Sequence, residues 1–130
     1  MQRRHTKQRE TILSVLESAE GPLSIPEIHT RAKALLPNLG LATIYRAIHR
    51  LTADTAILEV ALPGEETRFE VRRGHHHHHF RCQKCHKVFE LDFCPVQLPH
   101  GAVLPNGYAV FDHHLTLYGL CKNCNSRAMQ

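Results

Sequence analysis

The centre of the chain holds a dense group of side chains that bind metal ions. Five consecutive histidines, His75–His79, run towards Cys82 and Cys85, which form a C-x-x-C pair. A second C-x-x-C pair, Cys121 and Cys124, follows much later in the chain. Imidazole and thiolate are the ligands that borderline-soft divalent ions such as Zn²⁺ prefer. Because the histidine run is internal, we do not interpret it as a terminal purification tag.

The two C-x-x-C pairs predict one closed zinc site. Each pair places two sulfurs on the same ion, and two pairs complete a tetrahedral Zn(Cys)4 centre with no open position. We therefore expect its role to be structural. The alternative, redox-active or disulfide-bonded pairs, is disfavoured because the chain has the features of a cytosolic protein. Cys94 belongs to neither pair, and we expect it to be a buried free thiol.

The histidine run predicts up to two further metal sites. In an extended strand, successive side chains point to opposite faces. His77 and His79 would then share one face, and His76 and His78 the other. One strand can therefore serve two sites. A solvated polyhistidine loop is the alternative, and it stays open for His75.

Other side chains can complete these two faces. Carboxylates near the run are Glu70 and Glu90, and we expect them to supply oxygen ligands to the first face. His113, from the last predicted strand, can join the second face. The remaining histidines are isolated, and we expect each to be a surface or core residue rather than a ligand.

Composition limits the class of protein. The chain has 130 residues, enough for one ordinary domain or two small ones, and a formal net charge of +4. Four basic residues precede the first acid, Glu10: Arg3, Arg4, Lys7 and Arg9. This cluster favours a nucleic-acid partner, with a solvated helix end as the alternative. No apolar run is long enough to span a membrane and no signal peptide is recognisable, so we expect a cytoplasmic protein.

The first half of the chain is predicted to begin with two helices. Apolar residues at helical spacing predict an amphipathic helix over residues 4–20. Gly21 and Pro22 then end it. Ser24 is a suitable N-cap for the second helix, because Pro26 follows inside the first turn and Glu27 completes a capping box.

A third helix and a β-hairpin follow. From Leu41, apolar residues recur at helical spacing and predict one buried stripe: Leu41, Ile44, Ile48 and Leu51. Segments 56–62 and 67–72 are β-prone and flank a Pro-Gly turn signal. Three helices followed by a hairpin predict a winged helix, a variant of the helix-turn-helix.

The exposed face of the third helix carries side chains suited to DNA. Arg46 can bond a guanine bidentately, and Tyr45 can pack on a thymine methyl group. Thr43 lies on the same face, and flanking cations can hold phosphates. The candidate DNA-binding residues are Thr43, Tyr45, Arg46, Arg4, Arg9 and Arg50. A solvated helix face with a half-buried tyrosine explains the same pattern about equally well.

The second half of the chain reads as a small domain dominated by strands. Candidate strands are 80–82, 88–91 and 108–120, and two prolines limit segment 94–101 to a short helix at most. The predicted fold is α+β, with a winged helix-turn-helix domain over residues 1–73 and a small α/β domain with structural zinc over residues 74–130.

Several motifs together resemble the ferric uptake regulator (Fur) family of metal-responsive transcriptional repressors. They span nearly the whole chain, and their order and spacing make a chance match improbable. The matching stretches are Arg4-x-Thr6-x-x-Arg9-x-x-Ile12-Leu13, Gly40-Leu41-Ala42-Thr43-Ile44-Tyr45-Arg46, Arg68-Phe69-Glu70, the histidine run to Cys85, and Leu117-Tyr118-Gly119-Leu120-Cys121-x-x-Cys124.

The resemblance implies a fold and a set of roles. It implies a winged helix joined to an α/β dimerisation domain, and a homodimer that binds AT-rich inverted repeats when loaded with metal. It places Tyr45 and Arg46 on DNA bases. The implied structural zinc ligands are Cys82, Cys85, Cys121 and Cys124. The implied regulatory ligands are Glu70, His77, His79 and Glu90, and the implied additional ligands are His76, His78, Gln97 and His113.

Three positions or segments depart from the family pattern. Pro22 stands where members often have a histidine that bridges the two domains, and it has no ligand atom. Candidate substitutes are Glu59, Glu65, Glu66 and His29. Gln97 replaces a carboxylate, so the additional site has a weaker ligand. The dimerisation helix is shorter and broken by proline.

Two imidazoles and two carboxylates without a thiolate suit Fe²⁺ or Mn²⁺ in the regulatory site. A zinc-uptake regulator and an iron-based peroxide sensor are alternatives within the same family, and Zn²⁺ exceeds both ions in raw affinity. A metal-dependent hydrolase or a metal-storage protein is the alternative of another class. A hydrolase would leave the helix-turn-helix half without a role, and storage would leave Tyr45 and Arg46 without one.

Overall fold

The computed structural model describes residues 2–73 and 77–128, with side chains described over 5–73 and 77–126. The chain divides into two compact units, Met1–Gly74 and His75–Gln130. Each is described by itself below. In the described part of the chain, no helix combines the length and the apolar character that crossing a membrane requires.

The first unit is a winged helix. Its elements, in chain order, are α1 (Gln2–Ser18), β1 (Leu23–Ser24), α2 (Ile25–Leu35), α3 (Leu41–Ala53), β2 (Ile57–Val60) and β3 (Arg68–Val71). The three strands form an antiparallel sheet in the order β1-β3-β2. The prediction of three helices followed by a hairpin is confirmed, and the structure adds the short strand β1.

Local chemistry explains where α2 begins. The Ser24 hydroxyl accepts from the Glu27 N–H at 3.4 Å, and the Glu27 carboxylate accepts from the Ser24 N–H at 3.0 Å. This reciprocal capping box satisfies two amide donors that the first helical turn leaves without partners. Pro26 lies within that first turn, where its missing N–H costs nothing. The predicted capping box is confirmed.

The core of the first unit lies between the three helices and the sheet. Its largest fully buried members come from four different elements: Ile12, Ile28, Ile44, Leu51 and Ile57. The predicted apolar stripe of α3 is confirmed for its last three members. It is wrong for Leu41, which is 45% exposed. Leu41 is the first residue of α3, where the chain enters from Gly40 and the side chain precedes the packed turns.

The second unit is built on small sheets. Its elements are β4 (His78–Cys82), β5 (Val88–Leu91), β6 (Ala102–Val103), β7 (Ala109–Val110), β8 (Thr116–Gly119) and α4 (Lys122–Ala128). One sheet has the order β5-β4-β8, in which β4 pairs antiparallel with β5 and parallel with β8. Strands β6 and β7 form a separate hairpin. The histidine strand is therefore central to its sheet, and both of its edges are occupied.

One prediction for this unit needs correction, and one helix was not predicted. The single strand expected over 108–120 is two short strands, β7 and β8. Between them, the Asp112 carboxylate accepts from the His113 N–H at 2.8 Å, a local hydrogen bond that competes with strand pairing. The helix α4 was not predicted, because its Asn, Cys and Ser residues are weak helix formers. Segment 94–101 contains no helix.

Candidate metal centres and nucleic-acid interface

The four paired cysteines form one cluster. Their sulfur atoms all lie within 4.8 Å of one another. The Sγ atoms of Cys85 and Cys121 are 3.9 Å apart. Cys82, Cys121 and Cys124 are buried, and Cys85 is exposed. Four converging thiols are the donor set of a structural zinc site.

Backbone geometry holds this cluster together. Cys82 ends β4, and its sulfur accepts from the backbone N–H groups of Cys85 and Cys121, each at 3.4 Å. His86 closes the first turn with a positive φ of 65°. The second pair spans the first turn of α4, where Asn125 N–H donates to Cys121 C=O at 2.8 Å. Such N–H···S bonds stabilise thiolates, which are the form that binds metal.

The protonation of two thiols follows from these contacts. Burial raises the pKa of Cys82, but N–H donors from Cys85, Cys121 and Lys84 outweigh burial and lower that pKa to about 5. Hydrogen bonding with Cys121, together with burial, raises the pKa of Cys124 to about 12. At neutral pH the cluster therefore contains at least one thiolate and one thiol, and zinc must displace the Cys124 proton. The residues present fit a zinc ion.

A second group of ligands lies on one face of the histidine strand. The rings of His77 and His79 are 5.4 Å apart between centroids, in an edge-to-face arrangement. His79 and Glu90 are direct partners across β4 and β5. His77 Nδ1 lies 3.8 Å from Glu90 Oε1. Three of the four predicted regulatory ligands are thus close together within the second unit.

The remaining predicted regulatory ligand belongs to the first unit. Glu70 lies on β3, opposite Leu58, and is 9% exposed. Pro22 is fully buried, and its carbonyl accepts from Arg68 at 3.3 Å. Among the proposed substitutes for a bridging histidine, His29 has its Nε2 3.1 Å from the Leu39 carbonyl, a contact within the helix-turn-helix.

The opposite face of β4 carries a different group. His78 is 1% exposed, and its ring centroid lies 4.9 Å from that of His113. His113 Nε2 in turn lies 3.2 Å from Cys94 Sγ. The alternation predicted for the histidine run is therefore observed between His78 and its two neighbours. His76, also predicted here, lies outside the described residues.

One expectation about this face changes. Cys94 is partly exposed rather than buried, and it contacts a predicted ligand. Gln97 is exposed, three residues beyond Cys94, and its role as a ligand stays a prediction. Sequence reasoning missed Cys94 because it belongs to no C-x-x-C pair. The available signal was a thiol close in sequence to the position where a carboxylate was expected.

The exposed surface of α3 forms a candidate nucleic-acid interface. Tyr45 is 54% exposed, and Arg46 is exposed beside it. Arg46 Nη2 donates to Thr43 Oγ1 at 3.2 Å, which fixes the guanidinium along the helix. His49 and Arg50 continue the surface and line an open groove with Tyr45 and Arg46. The apolar stripe of α3 lies on the other side of the helix, so this face does not pack into the core.

The predicted phosphate-binding cations differ in their surroundings. Arg50 is exposed and lines a second groove, together with His5 and Arg9 of α1. Arg9 forms an ion pair with Asp54 at 3.1 Å, and both side chains are about half exposed. The side chain of Arg4 lies outside the described residues. The structure therefore brings α1 and α3 cations to one basic groove.

A winged helix with an exposed Tyr-Arg helix face, followed by a four-cysteine cluster and two histidine groups, defines a class of metal-binding DNA-binding regulators. Comparison with known proteins gives the family. A model of the Ferric uptake regulator family matches residues 1–118. The ferric uptake regulation protein of Bacillus subtilis is 30% identical over 127 residues, which cover 94% of this chain and 85% of that protein. The peroxide-responsive repressor PerR of Staphylococcus epidermidis is 33% identical over 125 residues, which cover 93% and 81% respectively.

Solved structures agree. The ferric uptake regulator of Francisella tularensis with iron has a TM-score of 0.68 at 29% identity, and the match covers 91% of each chain. A zinc-bound manganese uptake regulator has a TM-score of 0.77 at 24% identity, a likeness of fold that covers 88% of this chain and 87% of that one. The chain belongs to the ferric uptake regulator family, whose members are metal-responsive transcription regulators that bind DNA and are typically dimers.

Proposed function

We propose that this protein is a metal-dependent DNA-binding repressor that controls metal-ion homeostasis genes. The observation that carries the proposal is the group formed by His77, His79 and Glu90. It offers imidazole and carboxylate donors at one place, in a chain that also carries an exposed Tyr45–Arg46 surface. In this proposal the group is the sensor. Glu70 is included as a further ligand on the family pattern alone.

The donor set supports Fe²⁺ or Mn²⁺ as the regulatory ion. Carboxylate and imidazole without thiolate are the ligands that these harder ions prefer. An iron-based peroxide sensor is the second candidate, because the PerR relative is 33% identical. Zinc sensing is the third, since Zn²⁺ binds nitrogen and oxygen ligands more tightly than either ion.

Metal acts through a shift of population. Molecules without the regulatory ion sample states that bind operator DNA well and states that bind it poorly. An ion that binds more tightly to the DNA-binding states shifts the equilibrium towards those states. The coupling is reciprocal, so operator DNA also tightens metal binding. Within the DNA-binding state, Tyr45 and Arg46 contact bases, while Thr43, Arg4, Arg9 and Arg50 support the helix or bind phosphates.

The proposed partner is an AT-rich inverted repeat bound by a homodimer. Two-fold symmetry of the protein matches that of the DNA. The second unit exposes large apolar side chains that suit a dimer interface, with Val103, Tyr108 and Phe111 each at least 66% exposed. We propose that the protein is not an enzyme, and that it acts in the cytoplasm, where its DNA partner is.

One titration tests the proposal. Binding to a labelled AT-rich inverted repeat is measured by fluorescence anisotropy at buffered free concentrations of Mn²⁺, Fe²⁺ (without oxygen) and Zn²⁺, with a scrambled duplex as the control. We expect binding that requires one of these ions and is selective for the inverted repeat. Equal binding with and without every ion would exclude metal-dependent repression. The order of potency separates a zinc sensor from an Fe²⁺ or Mn²⁺ sensor, and loss of binding after peroxide treatment of the Fe²⁺-loaded protein identifies a peroxide sensor.

A further inference from the structure

One cluster of ligand atoms is distinct from both the four-cysteine centre and the proposed sensor. His78, Cys94 and His113 each present one nitrogen or sulfur atom, and these atoms all lie within 4.8 Å of one another. The Cys94 Sγ to His113 Nε2 distance is 3.2 Å, and the two imidazole centroids are 4.9 Å apart. Two imidazoles and a thiol at these separations can share one small ion.

We propose that His78, Cys94 and His113 form a binding site for a thiophilic divalent cation, with Zn²⁺ as the preferred ion and Cys94 as a direct ligand. The inference goes beyond the proposed function in one element: the resemblance already implies an additional metal site at His78 and His113, and the new feature is Cys94, a thiol ligand where Gln97 supplies no carboxylate. It also reassigns this face of β4 from a nitrogen and oxygen site to a nitrogen and sulfur site.

The fold positions these three side chains from separate segments. His78 lies on the central strand β4 and is 1% exposed. His113 lies in the segment between β7 and β8, and Cys94 in the segment after β5. Leu115 N–H donates to His78 Nδ1 at 3.2 Å, which fixes the buried ring. A buried imidazole held by the backbone and facing two further ligand atoms is ordered before any ion arrives.

The protons at the site determine how an ion enters. The Cys94 thiol donates to the Val96 carbonyl at 2.7 Å. An ion that binds Cys94 displaces this proton. Because Nδ1 of neutral His78 accepts from Leu115, the ring proton is on Nε2. A neutral imidazole keeps one ring proton, so an ion that binds either nitrogen of His78 replaces the Leu115 hydrogen bond: at Nδ1 it takes the accepting lone pair, and at Nε2 it requires the proton to move to Nδ1. Binding releases the Cys94 proton to solvent, and the affinity for the ion falls as pH falls.

The thiolate determines which ion the site prefers. Thiolate ligands favour Zn²⁺ over Mn²⁺ and Fe²⁺, in addition to the general affinity order of divalent ions. Three protein ligands leave a fourth tetrahedral position for solvent. Cys94 and His113 are partly exposed, so solvent can reach the site. The second unit would thus hold ions of different preference on the two faces of one strand.

Protection of Cys94 from alkylation tests the proposal directly. Protein whose four-cysteine cluster is loaded with zinc is treated with N-ethylmaleimide, and modification of Cys94 is followed by mass spectrometry with and without added Zn²⁺ or Mn²⁺. At free Zn²⁺ ten times the dissociation constant, we expect alkylation to slow about 10-fold, as site occupancy requires. Mn²⁺ at the same concentration should give no protection.

Two histidine variants provide the matched comparison. His113→Ala should abolish the protection, whereas His114→Ala should keep it, because His114 is a neighbouring side chain that is 93% exposed. Zinc retained by the four-cysteine cluster reports that each variant is folded. Equal alkylation rates of the wild-type protein with and without Zn²⁺ would overturn the proposal.

A second measurement does not depend on the histidine variants. Co²⁺ added to the zinc-loaded wild-type protein should give a thiolate-to-cobalt absorption band that is absent in Cys94→Ser. The same band in Cys94→Ser would place the cobalt on other thiols and would overturn the proposal. Operator binding is measured on the same samples. Metal-dependent operator binding without Cys94 protection would reject this site alone and leave the repressor proposal intact.

Discussion

Glu27 and Arg68 form an ion pair of 2.7 Å that joins the first turn of α2 to strand β3. The Arg68 side chain is 8% exposed, and the same guanidinium nitrogen also donates to the Pro22 carbonyl at 3.3 Å. Glu27 Oε1 meanwhile accepts from the Ser24 N–H. One carboxylate therefore serves both the helix cap and the strand, so the same side chain links the start of α2 to the wing.

The first prediction concerns this pair. Glu27→Gln keeps an oxygen for the Ser24 N–H but removes the negative charge that lies 2.7 Å from the buried Arg68 guanidinium. Because Glu27 is 35% exposed, we expect a loss of about 2–3 kcal/mol in the free energy of unfolding, below the range for fully buried pairs. Urea unfolding measures it. The exposed Glu17→Gln serves as the control, and equal stability of both variants would contradict the prediction.

The second prediction concerns DNA reading by α3. Arg46→Ala removes an exposed guanidinium that contacts only Thr43 in the described hydrogen bonds of α3. We expect operator affinity to fall at least ~10-fold, as loss of one base contact does, with fold and zinc content unchanged. Anisotropy titration under metal-loaded conditions measures this. Arg31→Ala, an equal loss of charge on the exposed face of α2, should leave affinity within about twofold.

The third prediction concerns the sensor. Glu90→Gln replaces a charged ligand beside His77 and His79 with a neutral amide. We expect the free metal concentration for half-maximal operator binding to rise at least ~10-fold. Replacing a side chain that only supports a metal ligand already weakens metal binding by a factor of that size. At saturating metal, operator affinity should be restored. Asp92→Asn, an exposed neighbour, is the control. An unchanged metal requirement in Glu90→Gln would remove Glu90 from the sensor.

The fourth prediction concerns removal of structural zinc. A strong chelator should strip the four-cysteine centre and unfold the second unit, because such sites contribute directly to folding. The Cys124 thiol, with its pKa raised to about 12, binds its proton tightly and competes with zinc, so zinc affinity should fall as pH is lowered. Far-ultraviolet circular dichroism and zinc analysis follow both effects. Cys124→Ser should lose the zinc, whereas Cys94→Ser should retain it. Zinc retention by Cys124→Ser would show that Cys124 is not a ligand.

Local chemistry made much of the fold predictable. The capping box of Ser24 and Glu27 and the helical spacing of Ile44, Ile48 and Leu51 depend only on near neighbours in the chain. The predictions failed at two places, one decided by a neighbouring residue and one that depends on distant residues. The strand expected over 108–120 divides at Asp112, whose side chain bonds the next backbone N–H. Helix α4 forms from weak helix formers next to the cysteine cluster, which a local pattern does not reveal.

The sequence by itself determined the metal-binding character of this protein. Ligand types, the two C-x-x-C pairs and the alternation of a histidine strand follow from residue identity and backbone geometry. Only the tertiary structure decided which ligands meet. It brought Cys94 to His113, and it left Leu41 exposed at the start of α3. The physical reason is that coordination requires atoms to converge within a few ångströms, and that distance is determined by strand pairing and loop paths rather than by spacing along the chain.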